Sequence, residues 1–184
     1  AEQNGISGYS TSNTNCSDCH QPQGSFNNYT VEFGGDEIRD LDDPSTATYS
    51  FSLSGSGATT AGFNVSAINA NALTPGSGQI SENGEITHNN PQTVNGGSGV
   101  WNFTVGFPDS PTTVTLRGCG NPGDGAGDSD NSTFDAANDG PRKCGTYTIE
   151  VKEINDAPSF TVGADVTVNE DASYSASWGT NIDD

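Results

Sequence analysis

Val100-Trp101-Asn102-Phe103-Thr104-Val105-Gly106-Phe107 is the stretch that decides the fold, because apolar side chains occupy every second position. A period of two places alternate side chains on opposite faces of a β strand. The apolar face predicted here carries Trp101, Phe103, Val105 and Phe107. A strand with one apolar face must bury it against another layer, so this stretch predicts one sheet of a packed β structure.

Shorter alternating stretches lie on both sides of this strand and are separated by Gly, Pro, Asn and Ser. We expect strands over residues 29–33, 48–53, 61–67, 79–80, 85–88, 113–116 and 146–151. Short strands joined by tight turns are typical of an antiparallel β-sandwich, and the all-β class is therefore predicted. Residues 1–28 lack this periodicity and predict an irregular arm. Three further stretches are predicted to be loops: the acidic residues 36–43, residues 69–79, and the Gly- and Asp-rich residues 118–143.

The charge balance excludes several classes of function. Five Lys and Arg residues against 24 Asp and Glu residues give a net charge of −19. Such a surface repels nucleic acids and anionic lipids and attracts cations. No apolar run approaches the length of a transmembrane helix, so none is expected.

Cys16-Ser17-Asp18-Cys19-His20 is the motif with the most specific chemistry. In a Cys-x-x-Cys-His run both thiols attach haem covalently, and the histidine becomes an axial ligand of the iron. A disulfide between Cys16 and Cys19, a thioredoxin-like redox pair and half of a zinc site are the alternatives. The redox motif lacks its βαβ setting here, and the zinc site lacks an evident fourth ligand nearby. We therefore expect haem c on Cys16, Cys19 and His20.

His88 is the candidate for the second axial ligand. The chain has no Met and only two histidines, so the Met/His ligation of many cytochromes is excluded. The alternative is that His88 is an exposed loop histidine beside Asn89 and Asn90. The residues alone leave both alternatives open.

Two further features indicate an exported protein. Ala1 precedes a polar stretch with no initiator Met, as at a mature end left by signal-peptide removal. Cys119 and Cys144 flank the Gly- and Asp-rich loop, and in an oxidising compartment a disulfide between them is the simplest expectation. We expect an extracellular or cell-surface location rather than the periplasm.

The ordered series Gly62-Phe63-Asn64-Val65-Ser66-Ala67, Ile86-Thr87-His88, Trp101-Asn102-Phe103-Thr104-Val105 and Gly120-Asn121 resembles the bacterial reeler-like domains of the choice-of-anchor group. The likeness continues through Gly123-Asp124-Gly125 and Gly127-Asp128 and covers about residues 10–130. It implies an Ig/reeler-like β-sandwich over residues 29–153 behind a haem-attachment arm, residues 1–28. It also implies that the histidine at the position of His88 faces the haem. The acidic, cysteine-flanked residues 128–144 depart from the family pattern.

The tail, residues 154–184, resembles the start of a cadherin-like tandem repeat through Asn155-Asp156-Ala157-Pro158 and Val166-Thr167-Val168-Asn169-Glu170-Asp171. Calcium prefers six to eight oxygen ligands, which clustered carboxylates and carbonyls provide. The candidate calcium ligands are Asp124, Asp128, Asp130, Glu153, Asp156, Glu170 and Asp171. Solvated acidic clusters without an ion are the alternative. The tail has too few residues for a core of its own, so it either begins a longer repeat array or pairs with another subunit.

These features predict an exported mono-haem c-type cytochrome that transfers electrons through a bis-histidine iron and is not an enzyme. Its expected partners are other redox proteins or copies of itself, in a head-to-tail filament. The alternative is a calcium-stiffened surface adhesin or stalk module in which the haem is accessory. A haem sensor with an open iron site is a third hypothesis, and it predicts that His88 lies far from the iron.

Overall fold

The computed structural model describes residues 26, 28–90, 92–94, 96–123, 140–155, 159–161, 167, 169–171, 173 and 180–183. The chain divides into two compact units, Ala1–Lys152 and Glu153–Asp184. Every regular element within the described ranges is a β strand, as the alternating sequence predicted. The all-β fold class is therefore confirmed.

Two sheets form the first unit. The front sheet has the order β1-β3-β9-β5, and the back sheet has the order β2-β11-β10-β4-β7-β6, with β8 also paired to β4. The strands of the front sheet are β1 (Thr30–Gly34), β3 (Thr46–Ser54), β5 (Ala72–Thr74) and β9 (Gly99–Gly106). Those of the back sheet are β2 (Ile38–Asp40), β4 (Thr60–Ile68), β6 (Gln79–Glu82), β7 (Glu85–His88), β8 (Gln92–Thr93), β10 (Thr112–Gly123) and β11 (Lys143–Lys152).

Side chains from both sheets meet in one hydrophobic core. Tyr49, Phe51 and Phe103 of the front sheet are almost fully buried, as alternation along β3 and β9 requires. The back sheet contributes Phe63, whose ring stacks on Trp101 with centroids 4.6 Å apart. The aromatic stripe at residues 101–107 therefore packs against β4, which orders the strand that lies next to the candidate site.

Strand β10 is much longer than the sequence predicted. Residues 118–123 were expected to form part of an irregular loop, but they extend β10 and pair with β4 on one side. The prediction was wrong because this stretch has no alternating apolar side chains. Gly118 belongs in a strand here because a Cβ at this position would lie 2.7 Å from the rings of Phe33 and Phe51. Because residue 118 has no side chain, these two rings of the facing sheet can pack against its backbone.

Two other predicted loops also contain short strands. β2 lies within the acidic residues 36–43 and pairs with β11, and β5 lies within residues 69–79. The β2–β11 pairing is parallel, which the prediction of an antiparallel sandwich did not include. Arg39 explains the position of β2: its guanidinium donates to the Pro44 carbonyl over 3.0 Å and lies 5.4 Å from the centre of the Phe107 ring.

The second unit contains one strand pair within its described residues. β12 (Ser159–Thr161) pairs antiparallel with β13 (Thr180–Asp183). A two-stranded sheet alone is at best marginally stable in water.

Candidate functional site

His88 is the one predicted haem ligand that the structure describes. It is the last residue of β7 and is half-buried. Cys16, Cys19 and His20 lie outside the described residues. Within the described residues the candidate site consists of His88 and the strand that it contacts.

The pairing along β4 is interrupted beside His88. Asn64 and Val65 pair with β7, whereas Thr60 and Ala61 pair with β8. Gly62 and Phe63, between these pairs, pair with neither strand. The register between the two pairings shifts by two residues, which is the signature of a bulge on the β7–β8 side. Such an irregularity redirects a side chain, and here that side chain is His88.

Two side chains satisfy the backbone of Phe63 in place of a strand. The Phe63 N–H donates to Nδ1 of His88 over 3.1 Å, and the Thr87 hydroxyl donates to the Phe63 carbonyl over 2.8 Å. The same carbonyl lies 3.2 Å from His88 Nδ1. Buried backbone groups need such partners, so this arrangement fixes the imidazole against β4. No described residue forms a hydrogen bond to the other ring nitrogen, Nε2.

Gly62 lies directly beneath the imidazole. A Cβ at residue 62 would lie 2.5 Å from Cε1 of His88, 3.0 Å from Nδ1 and 3.1 Å from Nε2. These distances are shorter than van der Waals contact allows, so the ring occupies this position because residue 62 has no side chain. The Phe63 ring, with its centroid 6.5 Å from that of His88, forms a second side of the site.

The environment favours the neutral imidazole. Burial lowers the pKa of His88 below its ordinary value of 6.5, and the hydrogen bond to the Phe63 backbone opposes that shift in part. Neutral imidazole is the form that binds metals. His88 is therefore held in place in the neutral form, which is able to bind a metal.

A row of buried polar side chains lies next to His88 on β4 and β7. Thr87 is fully buried, and the Glu85 carboxylate accepts a hydrogen bond of 2.9 Å from the Asn64 amide. The sequence alone predicted no role for Gly62, Phe63 or Thr87. A glycine inside a predicted strand next to a β-strand histidine was the available signal, since such a glycine often marks a close approach.

The described chain begins close to this region. Phe26 lies against Gly140, because a Cβ at residue 140 would lie 2.7 Å from the Phe26 carbonyl oxygen and 2.6 Å from Cγ of Pro122. Tyr29 is anchored nearby: its hydroxyl donates to the Gly120 carbonyl over 3.1 Å, and Lys143 donates to its backbone carbonyl. Burial raises the pKa of this phenol above its usual range, so it remains a donor. The end of β10 therefore holds the chain that follows the haem motif.

The predicted disulfide is present. Cys119 and Cys144 are direct cross-strand partners in β10 and β11, with their Cα atoms 4.0 Å apart. The bond joins two strands of the back sheet, and Cys119 also pairs with Asn64 of β4. Disulfides of this kind persist in oxidising compartments.

The candidate calcium ligands are not brought together in the described residues of either unit. Glu153 directly follows β11 and is exposed, while Glu170 and Asp171 are exposed in a turn of the second unit. Asp124, Asp128, Asp130 and Asp156 lie outside the described residues. Calcium binding therefore stays a prediction.

Comparisons with known proteins do not assign the chain to a family. No family model matches it, and no curated protein matches it. Among solved structures, it is similar to AggA, the major subunit of aggregative adherence fimbriae type I from Escherichia coli. That likeness has a TM-score of 0.44 at 11% identity and covers 72% of this chain and 99% of AggA.

A second solved structure is AvmM, described as catalysing macrocyclization in alchivemycin A biosynthesis. It matches with a TM-score of 0.39 at 10% identity and covers 71% of this chain and 92% of AvmM. Likenesses this distant say nothing about function.

The described ranges contain no helix with the length and apolarity that a membrane crossing requires.

Proposed function

We propose that this protein is an exported mono-haem c-type cytochrome whose iron is held by His20 and His88. The observation that carries the proposal is the fixed imidazole of His88, with Nδ1 bound to the Phe63 backbone and Nε2 without a described partner. A metal-binding histidine commonly donates its second ring N–H to a backbone carbonyl or carboxylate, and the Phe63 carbonyl lies 3.2 Å from Nδ1. The residues present therefore fit a haem ligand.

The length of the chain between the haem motif and the sandwich supports this ligand pair. His20 precedes Phe26 by six residues, and six extended residues span at most about 20 Å. Phe26 lies against Gly140, whose N–H donates to the Pro122 carbonyl over 2.9 Å. Pro122 pairs with Ala61, the neighbour of Gly62 beneath His88. Two strand spacings, about 10 Å, thus separate β10 at Pro122 from the imidazole on the far side of β4. The tether is long enough for both histidines to reach one iron.

Haem with two histidine ligands supplies one-electron transfer without loss of a ligand when the oxidation state changes. The protein's own residues supply the geometry. The Phe63 backbone orients the imidazole, Gly62 makes room for it, and the Phe63 ring gives the site an apolar side. Cys16 and Cys19 would fix the porphyrin to the arm by thioethers.

The charge of the chain bears on its partners. With a net charge of −19, long-range attraction favours a partner that presents a basic surface around its own redox centre. A copy of the same chain would have to overcome mutual repulsion by direct strand pairing or bound cations. The proposed partners are accordingly other redox proteins, or copies of itself in a filament.

The test is the optical and electron paramagnetic resonance spectrum of the haem-loaded protein with and without His88→Ala. We expect a low-spin six-coordinate signature in the wild type and high-spin iron in the variant. Gln92→Ala, an exposed substitution in the adjacent strand β8, is the matched control and should keep the low-spin signature. A low-spin spectrum unchanged by His88→Ala would refute the ligand assignment.

A further inference from the structure

The interruption in β4 has a regular strand on either side of it. β7 pairs with Asn64 and Val65, and β8 pairs with Thr60 and Ala61, so the Gly62–Phe63 segment between these pairs faces side chains instead of a strand. In that segment the Phe63 N–H and carbonyl form hydrogen bonds to the His88 imidazole and the Thr87 hydroxyl, respectively. Along this segment the imidazole therefore takes the place of a paired strand and accepts the hydrogen bond of the Phe63 N–H.

This geometry treats the two ring nitrogens differently. Nδ1 lies 3.1 Å from the Phe63 nitrogen and 3.2 Å from the Phe63 oxygen, so it faces one donor and one acceptor. Without a metal, Nδ1 accepts from the Phe63 N–H and the proton resides on Nε2. With a metal on Nε2, the proton resides on Nδ1 and is donated to the Phe63 carbonyl. The second state requires the ring to turn toward the carbonyl, because the Phe63 N–H would otherwise face the proton on Nδ1.

We propose that Gly62 and the Phe63 peptide group are positioning residues that make Nε2 the ligand atom of His88. This inference rests on the proposed haem function, and it adds the atom and the residues that select it. Nδ1 is turned into the sheet by its contacts with Phe63, which leaves Nε2 as the nitrogen that binds the iron. Gly62 is required because any side chain there would push the imidazole off Phe63.

The first experiment measures how strongly His88 holds the iron. Added imidazole competes with His88 for the axial position of the ferric haem, so its apparent Kd rises with the strength of the internal ligand. Gly62→Ala should lower this Kd about 10- to 100-fold, as loss of a supporting contact does at metal sites. Gly145→Ala is the control, because a Cβ there would meet Val31 at an ordinary 3.7 Å.

The outcomes separate this inference from the proposed function. If His88→Ala leaves both the spectrum and the Kd for imidazole unchanged, the ligand assignment fails and the positioning role fails with it. If His88→Ala weakens ligation but Gly62→Ala behaves like Gly145→Ala, only the positioning role fails. Thermal unfolding of the two glycine variants checks that both are folded.

The second experiment needs no substitution at residue 62 and no haem. Cys16→Ser/Cys19→Ser removes the covalent attachment, and nitrogen-15 NMR then reports which ring nitrogen of His88 carries the proton. We expect a single tautomer with hydrogen on Nε2 and an acceptor shift at Nδ1. The tautomer mixture of a free histidine would overturn the inference, because it would show that Phe63 does not hold the ring.

Discussion

Aromatic rings lie close to Gly62 and to Gly118 in the back sheet, and the two contacts have different roles. Over Gly118 the rings are Phe33 and Phe51, and Phe51 is fully buried in the core. Over Gly62 the ring is the half-buried imidazole of His88, held by hydrogen bonds to Phe63. The first contact contributes packing energy, whereas the second fixes the orientation of a polar group. Substitutions at the two places should therefore separate stability from ligation.

Truncating the core ring should have the largest effect on stability. Phe51→Ala removes a fully buried ring that contacts Phe33, Phe63 and Trp101. We expect the free energy of unfolding to fall by about 3–5 kcal/mol. Denaturant unfolding followed by tryptophan fluorescence measures it. A loss below about 1 kcal/mol would show that the rings over Gly118 do not form the core.

Removing the disulfide should have the next largest effect. Cys119 and Cys144 are 25 residues apart, and closing a loop of this length stabilises the fold by about 3–4 kcal/mol in the chain-entropy model. Cys119→Ser/Cys144→Ser should show this loss in denaturant unfolding while haem attachment at Cys16 and Cys19 is retained. An unchanged midpoint would indicate that the unfolded chain is already constrained.

The two glycines provide the most direct comparison of the two places. Gly118→Ala places a methyl group against two core rings and should cost about 1–3 kcal/mol, as overpacking does. Gly62→Ala should cost less, because the new methyl group would meet the end of one half-buried side chain rather than two rings of the core. Calorimetric unfolding of both variants in the Cys16→Ser/Cys19→Ser background tests this order. The reverse order would place the more rigid packing at His88.

The pH dependence at His88 should be the smallest effect. Because burial lowers the pKa of His88 below 6.5, the unfolded state binds a proton more readily than the folded state. The contribution to stability is therefore complete above pH 6.5 and is lost as the pH falls through the folded pKa. NMR titration of haem-free Cys16→Ser/Cys19→Ser protein should place the His88 midpoint below 6.5. A midpoint at or above 6.5 would contradict the buried position.

Alternation in the sequence predicted the β class and the strands around Trp101 and Phe63, since half-buried strands impose a period of two. It failed for β10, where Gly118 and Gly120 replace apolar side chains because the facing sheet supplies the rings. Alternation also failed to predict β2, whose local pattern is weak. This strand forms because it pairs with β11 and because Arg39 packs over the Phe107 ring.

The candidate site was predictable in part. Counting histidines and methionines selected His88, because few side chains ligate haem iron. Gly62 within the predicted strand 61–67 signals a close approach, but the sequence does not show that His88 is the approaching group, since that contact depends on a register shift between β7 and β8. Such a shift is set by tertiary pairing and leaves no period in the sequence.

The spin state of the iron in the haem-loaded protein tests the central claim most directly. We predict low-spin bis-histidine iron in both oxidation states for the wild type and for Gln92→Ala, with conversion to high spin in His88→Ala. A low-spin spectrum that survives His88→Ala would mean that another group completes the coordination, and the proposed role of the sandwich in presenting His88 would be wrong.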